Sequence, residues 1–489
     1  MAGTASDSLA YAVRGRVVVH FHGEFCLALT GVAAVPALFA ASSGAWHFAV
    51  WSGLVAAILL ATWWLSTRLD TPRQLRGNEA LVIVAGGYLF TALLMTLPLA
   101  SDGIPVMDAF FQSMSAITTT GLSTAGPASA RSEAFLFTSA WMQWCGGLVV
   151  IVLAVLLIEP GAAARQLAGT DIDQSDLAAG ARARARWALV IYSALTFGAW
   201  VVMLALGGGL FDSLLHVLSA VSTGGFSTHD DSLAGLPSRS LQVALMLATL
   251  AGATSFSRYR AFAMSFSGES RWRSFFDVET RTLLLLCLAL AAWLGLTLSM
   301  AGGMPWREAL WTAPLLAVSA QSTAGFTPVD VATLPAAAKL GLVLAMFVGG
   351  GLGSTAGGIK VMRLLLLLRL MRQFVAQPAL PQHAVVKTRV GGRLFEEQDL
   401  RQALGLVGVF TAVVLASWAA FLTYGHAPLD ALFEVVSATG TVGLSTGLSS
   451  SELQAPLKGV LCLDMWMGRL EILAVLVLLR PHTWIGRRS

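Results

Sequence analysis

The sequence predicts an all-α polytopic membrane protein. Four tandem units of span, half-helix with extended strip, and span would surround a pseudo-fourfold central axis, with two further helices in front. Three observations predict it. The 489 residues are 56% hydrophobic and 12% charged, with mean hydropathy +0.72, whereas a soluble chain of this size carries about 25% charged residues. Apolar runs long enough to cross a bilayer recur ten times. Between them lie four short stretches that are near copies of one another.

The runs fall near 25–42, 46–66, 80–100, 134–158, 187–206, 238–257, 282–301, 337–373, 402–424 and 457–480. The first pair leads, and the other eight form the four units: two N-terminal helices over 1–79, then repeats over 80–186, 187–281, 282–401 and 402–489. Arg14 and Arg16 precede the first run without a small-residue cleavage site, so a retained helix is expected rather than a signal peptide. The four cysteines are scattered singly in apolar segments, which argues against a disulfide framework or a cysteine metal cluster.

The near-copies read Ser115-Ala-Ile-Thr-Thr-Thr-Gly121-Leu, Ser219-Ala-Val-Ser-Thr-Gly-Gly225-Phe, Ser319-Ala-Gln-Ser-Thr-Ala-Gly325-Phe and Ser437-Ala-Thr-Gly-Thr-Val-Gly443-Leu. Their glycines recur after 104, 100 and 118 residues. Thirteen residues before them stand Asp108, Asp212, Thr312 and Asp430, residue types that cap helix N-termini. The apolar run from each expected cap to its glycine is too short to cross a bilayer. One Gly/Ser/Thr stretch is most simply a connecting loop; four in register are a structural repeat.

Charge orients the chain. With the N-terminus inside, 24 of the 31 Lys/Arg fall on cytoplasmic segments and five outside (Arg131, Arg239, Arg307, Lys339, Lys458). That is a strong positive-inside signal. The outer segments are net acidic, which would concentrate cations at the mouth. The cytoplasmic linkers 159–186, 258–281 and 374–401 are too short to form a domain with its own core.

The strips have the composition an ion filter needs. A dehydrated alkali cation exchanges water for oxygens, and backbone carbonyls supply these without a trapping charge. Aiming successive carbonyls at one axis requires conformations that a β-carbon disfavours and glycine permits. The filter residues are therefore Thr119, Thr120 and Gly121; Thr223, Gly224 and Gly225; Thr323, Ala324 and Gly325; and Thr441, Val442 and Gly443.

The eighth run is longer than one crossing and is broken by Gly349, Gly350, Gly351, Gly353, Ser354, Thr355, Gly357, Gly358 and Lys360. Glycine this dense does not sustain a helix, so a flexible loop inside the membrane, directly below the filter, is expected. It resembles a phosphate loop and a dinucleotide fingerprint, but lacks the Gly-Lys-Ser/Thr of one and the strand–helix unit of the other.

Arg469 lies twelve residues beyond Lys458 in the last run, about 18 Å along a helix. Asp464 and Glu471 are not at the spacing that faces it, so a pore-facing arginine is expected. Asp108, Asp212 and Asp430 are read as caps first. His216 and His229 flank the second filter without a ligand partner in spacing, which argues against a metal there. Trp63, Trp64, Trp141, Trp144, Trp306 and Trp484 are read as interfacial anchors, and Glu159, Asp171 and Asp173 as solvated charge.

From about residue 12 onward the chain resembles the TrkH/KtrB-type potassium uptake subunits, whose superfamily includes the plant HKT transporters. The resemblance rests on Ser219 through Asp230, on Gly349 through Arg363, on Trp141-Met-Gln-Trp-Cys-Gly-Gly-Leu148 and on Met467-Gly-Arg469-Leu-Glu471. It implies a pseudo-fourfold pore in each protomer, K+ as the transported ion with no organic cofactor, a homodimer, and a bacterial inner-membrane location. The implied partners are lipid and a cytoplasmic ring of nucleotide-binding, TrkA-like regulatory subunits, not nucleic acid. It also implies that Gly349 to Lys360 is the gating loop and that Arg469 lines the pore beneath the filter. Gly121, which is serine in sodium-preferring plant members, favours potassium. Gln112, Ala324, Pro328 and Thr312 depart from the family pattern.

Two other classes fit the sequence less well. An alternating-access carrier would need inverted repeats and paired broken helices, whereas these repeats share one orientation and one helix is expected to break. An intramembrane enzyme would need a histidine, Ser–Lys or paired-aspartate site within the spans. A sodium-permeable member of the same superfamily is the remaining alternative.

Overall fold

The computed structural model describes residues 12–69, 75–158, 174–265, 272–273, 275–376, 388–391, 393–395 and 397–485. Glu159, Asp171 and Asp173 lie outside these residues. Among the described residues the chain is nearly all helix. Seven helices are long and apolar enough to cross a membrane, and eight if one bent pair counts as a span.

The leading pair, α1 (Gly15–Ser42) and α2 (Trp46–Ser66), packs together and against α3 (Gly77–Ala100). The first repeat is α3, the half-helix α4 (Val106–Ile117) and α5 (Glu133–Ile158). The second is α6 (Gln174–Ala205), the half-helix α7 (Leu210–Val221), and α8 (Arg239–Ala253) running into α9 (Phe256–Met264). The third is α10 (Val278–Met300), the half-helix α11 (Trp306–Gln321), and α12 (Ala336–Val348) with α13 (Val361–Ala376). A two-stranded hairpin, β1 (Thr388–Val390) and β2 (Arg393–Phe395), leads to the fourth. That repeat is α14 (Glu397–Thr423), the half-helix α15 (Pro428–Thr439), and α16 (Ala455–Arg469) with α17 (Leu473–Leu479). A short α18 (Pro481–Ile485) follows.

The expected caps are not caps. The half-helices are preceded by Pro105, Gly209, Pro305 and Ala427. Asp108, Asp212 and Asp430 sit in the first turn, where their charge still meets the positive helix end. Thr312 is deep inside α11, which begins earlier than its counterparts and carries Glu308 in its first turn. Proline fixes φ and gives up an N–H that a helix start does not use, so no side-chain cap is required.

Three of the second helices are broken, not one. α8 and α9 bend by 88°. α16 and α17 are separated by a turn in which Glu471 and Ile472 take φ of 53° and 63°. Gly252 and Gly468 stand just before these breaks, but each packs against the end of a half-helix, as Gly146 does in the unbroken α5, so they do not by themselves mark a break. The freed backbone groups find partners nearby: the Phe256 N–H donates to the Gly353 carbonyl (3.1 Å), and the Ile472 N–H to that of Met467 (2.7 Å). Trp141 and Trp144 are not simple interfacial anchors either. Their rings stack at 5.2 Å, and their indole N–H groups donate to Gly31 O and to Thr196 Oγ1 (both 3.0 Å).

Phe111, Leu215, Leu315 and Phe433, each ten residues before its repeat's glycine, are all buried. Polar ties join each repeat to the next. Asp230 of the second accepts from the Ser129 hydroxyl (2.6 Å) and N–H (3.1 Å) of the first, which hold its carboxyl below the usual value. Gln242 of the second accepts from the Trp311 indole of the third (3.2 Å). Lys339 pairs with Asp430 at 2.8 Å and Lys458 with Asp108 at 2.5 Å, closing the ring from fourth to first.

Candidate cation pathway

The four strips meet around one axis in sequence order. A β-carbon placed on Gly121 would lie 2.0 Å from the Gly224 carbonyl oxygen, on Gly225 2.3 Å from that of Ala324, on Gly325 2.2 Å from that of Val442, and on Gly443 2.2 Å from that of Thr120. Each glycine thus abuts the carbonyl of the next repeat, and the ring closes. These glycines have φ from 79° to 93°. The threonines two residues earlier, Thr119, Thr223, Thr323 and Thr441, have φ from 49° to 55°, an uncommon conformation for a β-branched residue. Thr120, Gly224, Ala324 and Val442 lie between them.

The repeated Ser-Ala pair explains how such backbone is held. The N–H groups of Thr120, Gly224, Ala324 and Val442 donate to the carbonyls of Ser115, Ser219, Ser319 and Ser437 at 2.8–2.9 Å. Those of the four positive-φ threonines donate to the following alanines at 3.0–3.2 Å. The Ser115 and Ser437 hydroxyls also accept from the Gly121 and Gly443 N–H groups, at 3.0 and 3.1 Å. The threonine and middle-residue N–H groups of all four strips are thus satisfied from behind. The Gly224 carbonyl accepts from the Gln143 side-chain amide at 2.6 Å.

Two residues beyond the glycines, Ser123, Ser227 and Ser445 bond to Gln112 (2.8 Å), His216 (2.9 Å) and Glu434 (2.5 Å). The third repeat has Leu316 in the equivalent place. Gln112, Ser123, Ser227 and Ser445 border a vestibule of about 410 Å³ that reaches the glycines Gly121, Gly225, Gly325 and Gly443.

On the other side of the ring lies the Gly349–Lys360 segment. It is not a free loop. The Gly351 N–H donates to Ala253 O (3.0 Å), the Leu352 N–H to Glu279 Oε1 (2.7 Å), and the Gly357 N–H to Thr323 Oγ1 (2.8 Å). The Thr355 hydroxyl lies 3.1 Å from Val221 O and 2.9 Å from Gly252 O. The Gly350 carbonyl accepts from the Val361 N–H (3.0 Å), and the Ser354 hydroxyl donates to Gly351 O (2.6 Å). Gly349, Gly353 and Gly358 take φ of 71–74°. A β-carbon on Gly357 would meet Gly440 O at 2.0 Å. Lys360 is buried, and its ammonium donates to the Ala356 carbonyl.

Arg469 is 4% exposed and donates from Nη1 to the Thr355 carbonyl at 2.6 Å. Its Nε and Nη2 have no hydrogen-bond partner. It pairs with neither neighbouring carboxylate: Asp464 accepts from Ser417 (2.7 Å), and Glu471 pairs with Arg363 (2.5 Å). The threonine-and-glycine ring is thus bonded to the pinned loop through Thr323, and the loop to the arginine through Thr355.

Sequence spacing missed one cluster. His216 and His229, expected to have no partner, converge on Asp212: Nδ1 of His216 lies 3.3 Å from Oδ1 and Nε2 of His229 3.4 Å from Oδ2. The available signal was the i,i+4 step from Asp212 to His216 on a helix.

A family model described as TrkH, cation transport protein, matches residues 47–484. The Trk system potassium uptake protein TrkH of Halomonas elongata is 31% identical over 426 residues, covering 84% of this chain and 87% of that protein. Its namesake in Escherichia coli K12 is 27% identical over 489 residues, covering 96% and 99%. The crystal structure of the potassium transporter TrkH from Vibrio parahaemolyticus superposes with a TM-score of 0.83 at 28% identity, covering 96% of this chain and all of that one. With four strips closing one ring and a matched family model over most of its length, this chain belongs to the TrkH family of cation transport proteins, which are transporters and not enzymes.

Proposed function

We propose that this protein takes up potassium across a bacterial inner membrane through a channel-like pore, with the four strips as its selectivity filter. The observation that carries the reading is the closed ring of strips, with every middle-residue N–H tied back to a serine carbonyl. That arrangement leaves oxygens, not donors, for a dehydrated cation. The names of the relatives support potassium as the ion. The Lys/Arg distribution supports cytoplasmic termini and a vestibule open to the outside.

In this reading Gly349–Lys360 is the gate, held closed by Thr355 and Arg469. A homodimer and a cytoplasmic nucleotide-binding ring of the TrkA type belong to the same proposal, because no linker of this chain could fold into such a module. The test is rubidium uptake by a potassium-uptake-deficient bacterium expressing the gene, with sodium and organic solutes as controls. Uptake that is selective for rubidium is expected. Uptake of an organic solute instead would overturn the reading in favour of a carrier.

A further inference from the structure

We propose that Asp212, His216 and His229 form a binding site for a divalent transition-metal ion of the zinc class on the wall of the vestibule, and that its occupation obstructs cation access to the ring. The obstruction rests on the pore reading above; the metal site does not.

The geometry suits such an ion. Zinc takes histidine nitrogen and carboxylate oxygen at about 2.0–2.2 Å in tetrahedral sites, so neighbouring donor atoms should stand roughly 3.3–3.5 Å apart. His216 Nδ1 lies 3.3 Å from Oδ1 of Asp212 and His229 Nε2 3.4 Å from Oδ2; with one ligand atom taken from each residue, the three fall within 4.8 Å of one another, so a small inward shift completes the set. With three protein ligands, a fourth position is left for water.

The surrounding groups orient these donors. Nε2 of His216 lies 2.9 Å from Ser227 Oγ, which also accepts from the His229 N–H at 3.0 Å. The Thr228 hydroxyl donates to Asp212 Oδ1. With the His216 proton on Nε2 and donated to Ser227, Nδ1 presents its lone pair to a metal, the usual arrangement around a ligating imidazole. Without a metal, Nδ1 donates instead to the Asp212 carbonyl at 2.9 Å. Binding therefore exchanges one tautomer for the other. Nε2 of His229 is buried and has no hydrogen-bond partner.

The repeats supply an independent argument. Asp108 and Asp430, at the same helix position as Asp212, are each neutralised by a lysine from a neighbouring repeat. Among the described residues no lysine or arginine pairs with Asp212; its ion-pair partners are the two histidines. The positions equivalent to His216 hold Gln112, Leu316 and Glu434, and those equivalent to His229 hold Ala125, Val329 and Gly447. Only the second repeat can assemble this donor set. Asp212 thus stands where its counterparts have lysine partners, facing two imidazoles instead. His229 also lines the vestibule that borders the ring glycines.

The test uses the full-length protein in detergent. Cobalt(II), a spectroscopic stand-in for zinc, should give the intense visible bands of tetrahedral coordination at one ion per chain, and zinc should displace it. His229→Ala should abolish the bands. Ser227→Ala, which keeps all three ligands but removes the hydroxyl that supports His216 Nε2 and the His229 N–H, should weaken zinc affinity by about 10- to 100-fold. No tetrahedral spectrum in the wild type, or an unchanged spectrum in His229→Ala, overturns the site. In vesicles, zinc on the vestibule side should slow rubidium flux, at a concentration at least about tenfold lower than in Ser227→Ala. Stoichiometric zinc binding without slowed flux overturns the obstruction while leaving the site standing.

Discussion

Arg469 and Thr355 join the fourth repeat to the loop of the third: the guanidinium donates to the loop carbonyl at 2.6 Å, in a site where the arginine is 4% exposed. In the gated-pore reading proposed above, the arginine is a latch on the loop as well as a charge on the axis. A buried hydrogen bond from a charged donor contributes about 1.5–3 kcal/mol. Arg469→Ala should lower the closed-loop population by about one to two orders of magnitude. It also removes a Coulomb barrier to cations. Both effects raise basal rubidium efflux from vesicles. Lower efflux from a protein with unchanged melting temperature would contradict the latch.

Gly121 tests the ring. A serine there places a β-carbon 2.0 Å from the Gly224 oxygen at φ 91°, so the two strips must separate. Gly121→Ser should reduce the potassium-to-sodium flux ratio. It should also cost about 1–3 kcal/mol of strain, visible as a lower melting temperature. An unchanged ratio would remove Gly121 from the selective part of the pathway.

Register made the fourfold plan legible. The Ser-Ala pair and the glycine recur because the serine and alanine carbonyls secure the strip N–H groups and the glycine passes the neighbouring carbonyl. The half-helix starts were misplaced because Pro105 and Pro305 begin helices through a fixed φ, without a capping side chain. The breaks after Ala253 and Arg469 were invisible because no local residue demands them. They depend on acceptors such as Gly353 O, which arrive from elsewhere in the fold. His229 reaches Asp212 only because the strip reverses direction, and linear spacing cannot express that.

Lys458 and Asp108 test the seam that closes the ring. Both side chains are about 95% buried, and the ion pair spans 2.5 Å. Lys458→Met strands the carboxylate, a loss of about 3–5 kcal/mol. The melting temperature should fall, and adding Asp108→Leu should recover much of it, because apolar replacement of both partners is often neutral. Failure of the double variant to exceed the single one would mean that the pair does not bridge first and fourth repeats as described.

The loop itself is the remaining test, and its anchoring sets the design. Thr355 offers its hydroxyl to Val221 O and Gly252 O, both from the second repeat, and its carbonyl to Arg469 of the fourth. Thr355→Val keeps the side-chain shape and the carbonyl but leaves those acceptors without their donor, at a cost of about 1–3 kcal/mol. That weakens the closed loop by about five- to a hundredfold, so basal rubidium flux should rise. Deleting Gly350 to Gly357 should raise it further and reduce dependence on a regulatory partner. The deletion also removes Gly353 O, the acceptor for Phe256, so the bend after α8 should loosen and the melting temperature should fall. Thr355→Val is the cleaner variant because it leaves that acceptor in place. If both proteins insert stably and conduct less than the wild type, the segment forms part of the conducting path instead of obstructing it.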